Sequence, residues 1–308
     1  MRTKRLGSRA PEISVIGFGT WEAGGTAWGP NDSEDSVIAA IHAGLDAGIT
    51  WVDTAEVYGD GVSESIVGRA LAGRRDDVLI ATKVAPSPEG TGFRPEEVRQ
   101  ACEQSLKRLQ TDRIDLYHLH WPDESGVPLE DTWGAMAALV DEGLVRFIGV
   151  SNFDQAQIEA CEAIRHVDSL QPELSMLERE HRDLVRWCGE QGVGVVAYAP
   201  LAYGLLTGAI DAAATFGADD WRSTDKDMFA PEPRAAALEL VESLRPIAAE
   251  LGVTLAQLAI AWVLHQPGVT SAIVGSRNGA HMRANVEAAD LVIPADTLLL
   301  IEALLPEG

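Results

Sequence analysis

Cysteine, basic residues and long apolar runs are all scarce in this chain, and each shortage excludes a class of protein. No segment reaches the roughly 18 consecutive apolar residues of a membrane-spanning helix. The basic N-terminus, residues 1–10, lacks the apolar stretch of a secretory signal. The cysteines are too far apart to form metal-binding pairs, and as reduced thiols they are typical of the cytoplasm, the location we expect. There are three in 308 residues: Cys102, Cys161 and Cys188.

Basic residues are also outnumbered, since 24 Lys and Arg face 47 Asp and Glu, for a formal net charge of −23. A surface of this sign repels nucleic acid and anionic membranes, so we expect neither as a partner. The charge is most simply a solubility property, and the expected partner is a small molecule. If that ligand is itself anionic, its pocket needs a local positive group.

What the chain does contain is a regular alternation of short β-branched segments and longer helical patterns, without linkers or repeats. Several strand candidates are nearly continuous apolar runs, as parallel strands buried on both faces should be. The alternation predicts an α/β protein, a single (β/α)8 TIM barrel over residues 1–308. The predicted strands are residues 14–19, 49–54, 78–84, 114–120, 145–150, 169–172, 193–199 and 270–274. An open doubly wound sheet would instead favour a Gly-x-Gly-x-x-Gly turn after its first strand, which residues 17–22 do not supply.

Helix signals lie between the predicted strands. Residues 32–35 form a capping sequence ahead of an apolar stripe that Gly48 ends, and residues 255–264 form a very apolar helix. Pro95 opens a helix whose predicted buried residues are Val98, Cys102, Leu106 and Leu109. Residues 203–233 show little pattern of either kind. Because loops this long usually cover or bind ligands, and this one follows the seventh strand, we expect it over the barrel mouth.

Polar residues close nearly every predicted strand. In a barrel of this type the active site lies at the carboxyl ends of the strands, so these residues are expected to meet around one mouth. Taken singly each has a structural explanation, such as capping a turn or packing in the core. Together they predict a polar site: Asp53, Lys83, His120, Ser151 with Asn152, Gln171, Tyr198, and Gly275 with Ser276.

Tyr58, Lys83 and Asp53 suggest acid catalysis. A phenol is a poor proton donor at neutral pH unless its anion is stabilised, and a nearby ammonium stabilises it. Asp53 would hold the ammonium in place, so the sequence predicts that Tyr58 is a general acid with its pKa moved toward working pH. His120 can donate a second hydrogen bond to the same substrate oxygen. No strong nucleophile is evident.

The chain resembles the aldo-keto reductase family along nearly its whole length. The resemblance lies in GITWVDTA at 48–55 followed by Tyr58, Glu64 and Gly68, in IDLYHLHWP at 114–122, in IGVSNF at 148–153, and in AYAPL at 197–201 with GLLTG at 204–208. These segments occur in the family's order and spacing. Residues 4–6 and 12–13 resemble the N-terminal hairpin that closes the bottom of the family's barrel.

Carried over position by position, the resemblance implies an oxidoreductase that reduces aldehydes or ketones to alcohols by hydride transfer from NADPH. The implied catalytic tetrad, with Tyr58 as general acid, is Asp53, Tyr58, Lys83 and His120. The implied NADP(H) contacts, besides Asp53, are Gly19, Thr20, Trp21, Ser151, Asn152, Gln171, Tyr198, Pro200, Leu201, Ala202, Gly275, Ser276, Arg277, His281 and Asn285. The implied substrate contacts are Trp21, Trp28, Tyr58, His120 and Trp121. Arg277, assisted by Arg222, would be the positive group that a 2′-phosphate needs.

Two other functions stay open at this point. His118 and His120 lie on one strand face, as the ligands of a metal-dependent hydrolase would, although no further ligand cluster is evident. A non-catalytic, cofactor-binding regulatory subunit is a second alternative, because a fold does not determine a function. The carbonyl substrate, the direction of reaction in the cell and the oligomeric state are left open by the sequence.

Overall fold

A two-stranded hairpin and a closed parallel barrel make up the β-structure of the protein. The computed structural model describes residues 1–25, 28–29, 33–223 and 227–306. In the hairpin, β1 (Thr3–Arg5) pairs antiparallel with β2 (Glu12–Ser14). The barrel strands are β3 (Ile16–Gly19), β4 (Trp51–Asp53), β5 (Leu79–Val84), β6 (Ile114–Leu119), β7 (Val145–Ser151), β8 (Ser169–Gln171), β9 (Gly194–Ala197) and β10 (Val269–Gly275). Each pairs with the next, and β10 closes the ring on β3. The predicted TIM barrel with its N-terminal hairpin is confirmed.

Helices surround the barrel. They are α1 (Glu34–Asp46), α2 (Val62–Ala70), α3 (Pro95–Leu109), α4 (Leu129–Asp141), α5 (Gln155–Glu162), α6 (Arg182–Gln191), α7 (Pro231–Leu251), α8 (Leu255–His265), α9 (Gly279–Val286) and α10 (Ala295–Leu304). Among the described residues, no single helix is both long and apolar enough to cross a membrane. α7 and α8 pass that test only when joined, and the break between them is bent by 88°.

The predicted helix signals hold with small shifts. Ser33 caps α1 by accepting a hydrogen bond from the main-chain nitrogen of Ser36, whereas Asp32 lies outside the described residues. Pro95 is the first residue of α3, where its missing N–H is no loss. Leu106, which was predicted to be buried, is only half-buried. Ala101 and Ser105 are buried on the inward face of α3 along with the predicted Val98, Cys102 and Leu109.

Three predicted boundaries were wrong. Ser14 belongs to the hairpin rather than to the first barrel strand, because it pairs with Thr3 of β1. Tyr198 lies just past β9 and makes only an isolated bridge, to Glu173. The loop predicted for 203–233 contains short 3-10 helices and ends at Pro231, where the proline favours the first turn of α7.

The barrel interior is apolar at its lower end and polar at its upper end. Leu6 and Ile13, from the hairpin region, pack against Trp51 and Leu116 inside the barrel. Above them the inward side chains are polar and buried: Asp53, Lys83, His118, Ser169 and Gln171. Because apolar side chains fill the lower end, a ligand can reach the polar end only from the carboxyl ends of the strands.

Asp115 is a buried carboxylate that ties the lower ends of β5 and β6 to the surface. It is 2% exposed, accepts from the main-chain nitrogen of Ile80 and from Arg146, and forms an ion pair with Arg75. We expect Asp115→Ala to lower the free energy of unfolding by about 2–4 kcal/mol, because it leaves the buried N–H of Ile80 without its acceptor and removes the carboxylate that pairs with Arg75. Urea unfolding followed by circular dichroism measures the loss.

The matched control is Asp112→Ala, since the Asp112 side chain is 88% exposed and also contacts an arginine. Its effect should stay within about 0.5 kcal/mol. Equal losses in the two variants would show that burial of the Asp115 carboxylate contributes nothing.

Candidate active site

A cavity of about 890 Å³ opens at the carboxyl ends of the barrel strands, a size suited to a cofactor and a small substrate together. Two of the predicted site residues do not line it. Lys83 is fully buried behind the cavity floor, and Ala202 is buried where the backbone turns with a φ of 44°. The predicted residues that do line it are Gly19, Thr20, Trp21, Trp28, Asp53, Tyr58, His120, Trp121, Ser151, Asn152, Gln171, Tyr198, Pro200, Leu201, Arg222, Gly275, Ser276, Arg277, His281 and Asn285.

A buried ion pair forms the floor of the cavity. The ammonium of Lys83 donates to Asp53 Oδ2 at 2.6 Å, to the carbonyl oxygen of Thr54 at 2.8 Å and to the hydroxyl of Tyr58 at 3.3 Å. Its three N–H bonds are thus all used. Asp53 Oδ1 accepts from Gln171 Nε2 at 2.9 Å. The ends of three strands, β4, β5 and β8, and the loop after β4 therefore meet at a single pair of charges.

A cluster of hydroxyl groups behind the floor holds β3 and β4 together. Ser63, in the first turn of α2, lies 2.7 Å from the Thr20 hydroxyl and 2.8 Å from the Thr54 hydroxyl. Thr20 in turn donates to the carbonyl oxygen of Asp53. These bonds fix the backbone on either side of Asp53, and with it the carbonyl of Thr54 that binds Lys83.

The pKa of Tyr58 differs from what the sequence predicted. Burial raises the pKa of the phenol well above its ordinary value, and the carboxylate of Asp53 raises it further. Burial also lowers the pKa of Lys83, against the raising effect of Asp53. The predicted downward shift was wrong because the sequence shows the neighbouring cation but not the loss of water around the phenol. Tyr58 is therefore protonated at neutral pH.

His120 stands beside Tyr58, with ring centroids 5.6 Å apart, and its other face meets Trp121 at 4.3 Å. Burial lowers the pKa of His120 well below its usual value, and Lys83 lowers it further. The imidazole is therefore neutral at neutral pH. It carries one N–H, so it can donate a single hydrogen bond.

Amide groups line one wall of the cavity. The hydroxyl of Tyr198 donates to Asn152 Oδ1 at 2.9 Å, and Asn152 Nδ2 donates to the carbonyl oxygen of His120. Asn152 has a φ of 62°, and the lining residues Ala199 and Tyr203 also have left-handed backbones. Strained backbone of this kind is retained where the surrounding contacts demand it, which is often at functional sites.

Charged side chains gather at the opposite end of the cavity. Asp220 binds Arg222 through both carboxylate oxygens, at 2.9 and 2.6 Å. Arg277 donates to the carbonyl oxygen of Trp28 and lies close enough to Glu22 to lower its pKa, although burial, the larger effect, raises it. Two arginines thus face two carboxylates. The positive group that the sequence predicted is present, but the cluster as a whole is neutral when both acids are ionised.

Four aromatic rings cover the cavity between these two ends. Trp21 meets Trp28 and Trp221 at 5.1 Å each, and Tyr203 meets Trp221 at 4.6 Å. Trp21 also lies 6.3 Å from the ring of Tyr58, and it is 36% exposed. The loop after β3 and the loop after β9 therefore touch over the mouth of the barrel.

Sequence reasoning missed some residues of this site. Ser63, Trp221 and Asp220 carry no strand-end signal, and their positions depend on how distant loops pack. Glu22 could have been found, since it directly follows the strand-end residues Thr20 and Trp21. The remaining lining residues that were not predicted are Val57, Ala199, Tyr203, Gly204, Thr207, Ala209, Thr254, Ala256, Ile273, Val274 and Ala284.

His118 and His120 were also considered as metal ligands. His118 is fully buried below the cavity and does not line it. In the part of the chain that the structure describes, no group of three or more His, Cys, Asp or Glu side chains is arranged to hold a metal ion. The nearest cation, the Lys83 ammonium, would repel a bound metal.

Comparison with known proteins agrees with this geometry. The family description "Aldo/keto reductase family" matches residues 15–306. The chain belongs to the aldo/keto reductase family. Aldo-keto reductase YhdN of Bacillus subtilis is 41% identical over 281 residues, covering 89% of this chain and 84% of that one. A probable voltage-gated potassium channel subunit beta of Arabidopsis thaliana is 33% identical over 321 residues, covering 98% of this chain and 95% of that one.

A solved structure in this family carries a cofactor. It is an aldo-keto reductase from Klebsiella pneumoniae in complex with NADPH, 32% identical in sequence, with a TM-score of 0.77. The match covers 100% of this chain and 97% of that one. The two proteins therefore share the whole barrel, including the strand ends that form the cavity.

The Lys83–Asp53 pair can be tested as a coupled unit. Lys83→Met or Asp53→Asn alone leaves one buried charge without its partner, which we expect to cost about 3–5 kcal/mol in the free energy of unfolding. The double variant removes both charges, so its loss should fall below the sum of the single losses by about 0.5–3 kcal/mol. Urea unfolding of all four proteins gives this coupling energy. Strictly additive losses would mean that the two charges do not stabilise each other.

Proposed function

We propose that this protein reduces aldehydes or ketones to alcohols with NADPH as the reductant. The observation that carries the proposal is the contact between Tyr58 and Lys83. The phenol borders a ligand-sized cavity on one side and lies 3.3 Å from a buried ammonium on the other. A phenol in this position can give its proton to an oxygen atom while the ammonium stabilises the anion left behind.

Each residue at the floor has a distinct part in this reaction. NADPH, when bound, supplies the hydride for the carbonyl carbon. Tyr58 gives its proton to the carbonyl oxygen, and Lys83 stabilises the phenolate as it forms. Asp53 holds Lys83 in place and favours its charged form. His120 donates a hydrogen bond to the same oxygen and so stabilises the negative charge that develops there.

The cavity walls fit a nicotinamide cofactor. Gln171 donates a hydrogen bond from Nε2 to Asp53. Its Oε1 accepts no hydrogen bond from the described residues and is available to a carboxamide N–H. Tyr198 offers an aromatic ring at the same wall. At the other end, a β-carbon on Gly275 would lie 3.0 Å from Glu22 Oε1, so the glycine leaves room for that carboxylate beside the cavity. The NADPH complex of the Klebsiella relative supports the same cofactor here.

We further propose an apolar, often aromatic substrate. The lining residues next to Tyr58 and His120 that are not needed for the chemistry are Val57, Trp21 and Trp121, none of which is charged. Stacking and apolar contact would provide most of the binding energy at such a site. Among the described residues next to Tyr58 and His120, the cation that a phosphorylated or carboxylated carbonyl would meet is the fully buried Lys83.

A regulatory, non-catalytic subunit is the second candidate, because one relative is described as a probable potassium channel subunit. The two candidates differ in turnover. Consumption of NADPH followed at 340 nm, with benzaldehydes, short aliphatic aldehydes and sugars as substrates, separates them. NADPH binding without turnover on any of these aldehydes would favour the regulatory role.

Tyr58→Phe should abolish the proton donor and leave the cofactor site intact. We expect turnover to fall by about 10²–10⁴-fold, the usual contribution of general acid catalysis, with the NADPH dissociation constant unchanged. Tyr117→Phe is the control, because Tyr117 is a buried tyrosine on the outer face of β6, in the helix-packed core. Near-normal turnover in Tyr58→Phe would show that another group supplies the proton.

Arg277→Ala should weaken NADPH binding by about 10-fold or more and leave NADH binding nearly unchanged. A guanidinium makes charge-assisted hydrogen bonds to a 2′-phosphate, which NADH lacks. Fluorescence titration with both cofactors measures the difference, which should shrink as salt rises. Arg283→Ala is the control, since it removes the same charge from an exposed position on α9 outside the cavity lining. Equal losses for NADPH and NADH in Arg277→Ala would show that Arg277 does not contact the phosphate.

A further inference from the structure

Several buried polar atoms in the upper half of the barrel have no hydrogen-bond partner among the described residues. They are Nδ1 and Nε2 of His118, Nδ1 of His120, and Oγ of Ser169. Buried polar groups in folded proteins are nearly always paired with protein or with ordered water. Such a concentration in one place therefore points to a polar occupant.

These atoms lie at one region of the barrel interior. His118 is in register with Lys83 on one side and with Gly149 on the other, and Gly149 is in register with Ser169. Side chains two positions apart on a strand share a face. The residues two positions further along β6, β7 and β8 line the cavity, which identifies the inward face: His120, Ser151 and Gln171.

The ring of His118 lies against Gly149, in the space that a side chain at this position of β7 would fill. A β-carbon there would lie 2.6 Å from His118 Cδ2, 2.9 Å from His118 Nε2 and 2.5 Å from the carbonyl oxygen of Ser169. His118 and His120 are two residues apart, so their β-carbons are separated by about 6–7 Å. The two partners of a water molecule that bridges them by hydrogen bonds lie about 5.5–6 Å apart, which is comparable with this separation of the β-carbons.

The proposed reaction requires one particular tautomer of His120. The ring is neutral, so its single proton is on Nδ1 or on Nε2. Only with the proton on Nε2 can the ring donate to a substrate oxygen in the cavity, and Nδ1 is then a buried acceptor that needs a donor. Lys83 cannot be that donor, because its three N–H bonds go to Asp53, Thr54 and Tyr58.

We propose that His118 is a positioning residue for His120. One buried water, held by His118 and the hydroxyl of Ser169, donates a hydrogen bond to Nδ1 of His120 and keeps the ring's proton on Nε2, facing the cavity. The hydroxyl of Ser169 and the one N–H of the neutral His118 ring are the donors that hold this water. The catalytic consequence rests on the proposed reductase function, whereas the tautomer itself can be observed without any turnover.

The tautomer is measured directly by long-range ¹H–¹⁵N spectroscopy of the protein labelled with ¹⁵N-histidine. The chain has seven histidines, and the spectrum of His120→Gln identifies the signal of His120. We expect the Nε2–H form in the parent protein. In His118→Phe we expect a shift toward the Nδ1–H form and a fall in kcat of about tenfold, with the NADPH dissociation constant unchanged. His118→Gln keeps a hydrogen-bond donor and an acceptor at this position, so it should retain most of the Nε2–H form of His120 and most of kcat.

Tyr117→Phe is the matched control. Its hydroxyl is also buried and has no hydrogen-bond partner among the described residues, but it lies on the opposite face of β6, among the helix-packed core residues. This variant should leave the His120 signal and kcat unchanged. If His118→Phe does not fold, Ser169→Ala removes the other hydrogen-bond donor to the same water. It should also shift His120 toward the Nδ1–H form.

Two results would overturn the proposal. One is a parent protein whose His120 carries its proton on Nδ1. The other is a folded His118→Phe protein that keeps the parent's tautomer. If the parent protein lacks reductase turnover, the proposed function fails, and the tautomer spectra of parent and variants still decide the role of His118.

Discussion

The buried ion pair of Lys83 and Asp53 is the constraint on which the rest of the site depends. Two charges removed from water are tolerated only where every donor and acceptor around them is satisfied. Here the barrel supplies those partners from two strand ends: Thr54 and Tyr58 follow β4, and Gln171 ends β8. The apolar lower half, closed by the hairpin, keeps water from reaching the pair from below. The closed barrel is therefore what makes the buried ion pair possible.

The cavity resolves the conflict between a strongly acidic chain and an anionic cofactor by local pairing. Arg222 and Arg277 face Asp220 and Glu22, so this end of the cavity is neutral in a chain whose formal charge is −23. A phosphate that reaches Arg277 competes with Glu22 for it.

The sequence predicted the barrel and the strand ends well because both follow from local patterns. Apolar runs mark β4 to β7, and the polar residue that closes each run was identified from its position alone. The positions of Ser63, Trp221 and Asp220 could not be predicted, because they depend on loop packing that no periodicity records. The residue-level departures, such as Tyr198 lying beyond β9, come from hydrogen bonds between distant segments, here with Glu173.

The direction of the Tyr58 pKa shift changes how the proposed acid should be understood. A phenol whose pKa is raised by burial is a weaker acid in the resting protein, yet proton transfer stays favourable, because the alkoxide formed by hydride addition is a far stronger base than a phenolate. What the site must provide is stabilisation of the phenolate at the moment it forms, and Lys83 lies 3.3 Å away for that purpose. Burial keeps the phenol protonated before the reaction, and the attraction of the ammonium, which is stronger at low polarity, offsets part of the cost of burying the anion. In the proposed reaction the ion pair therefore acts on the transition state rather than on the resting pKa.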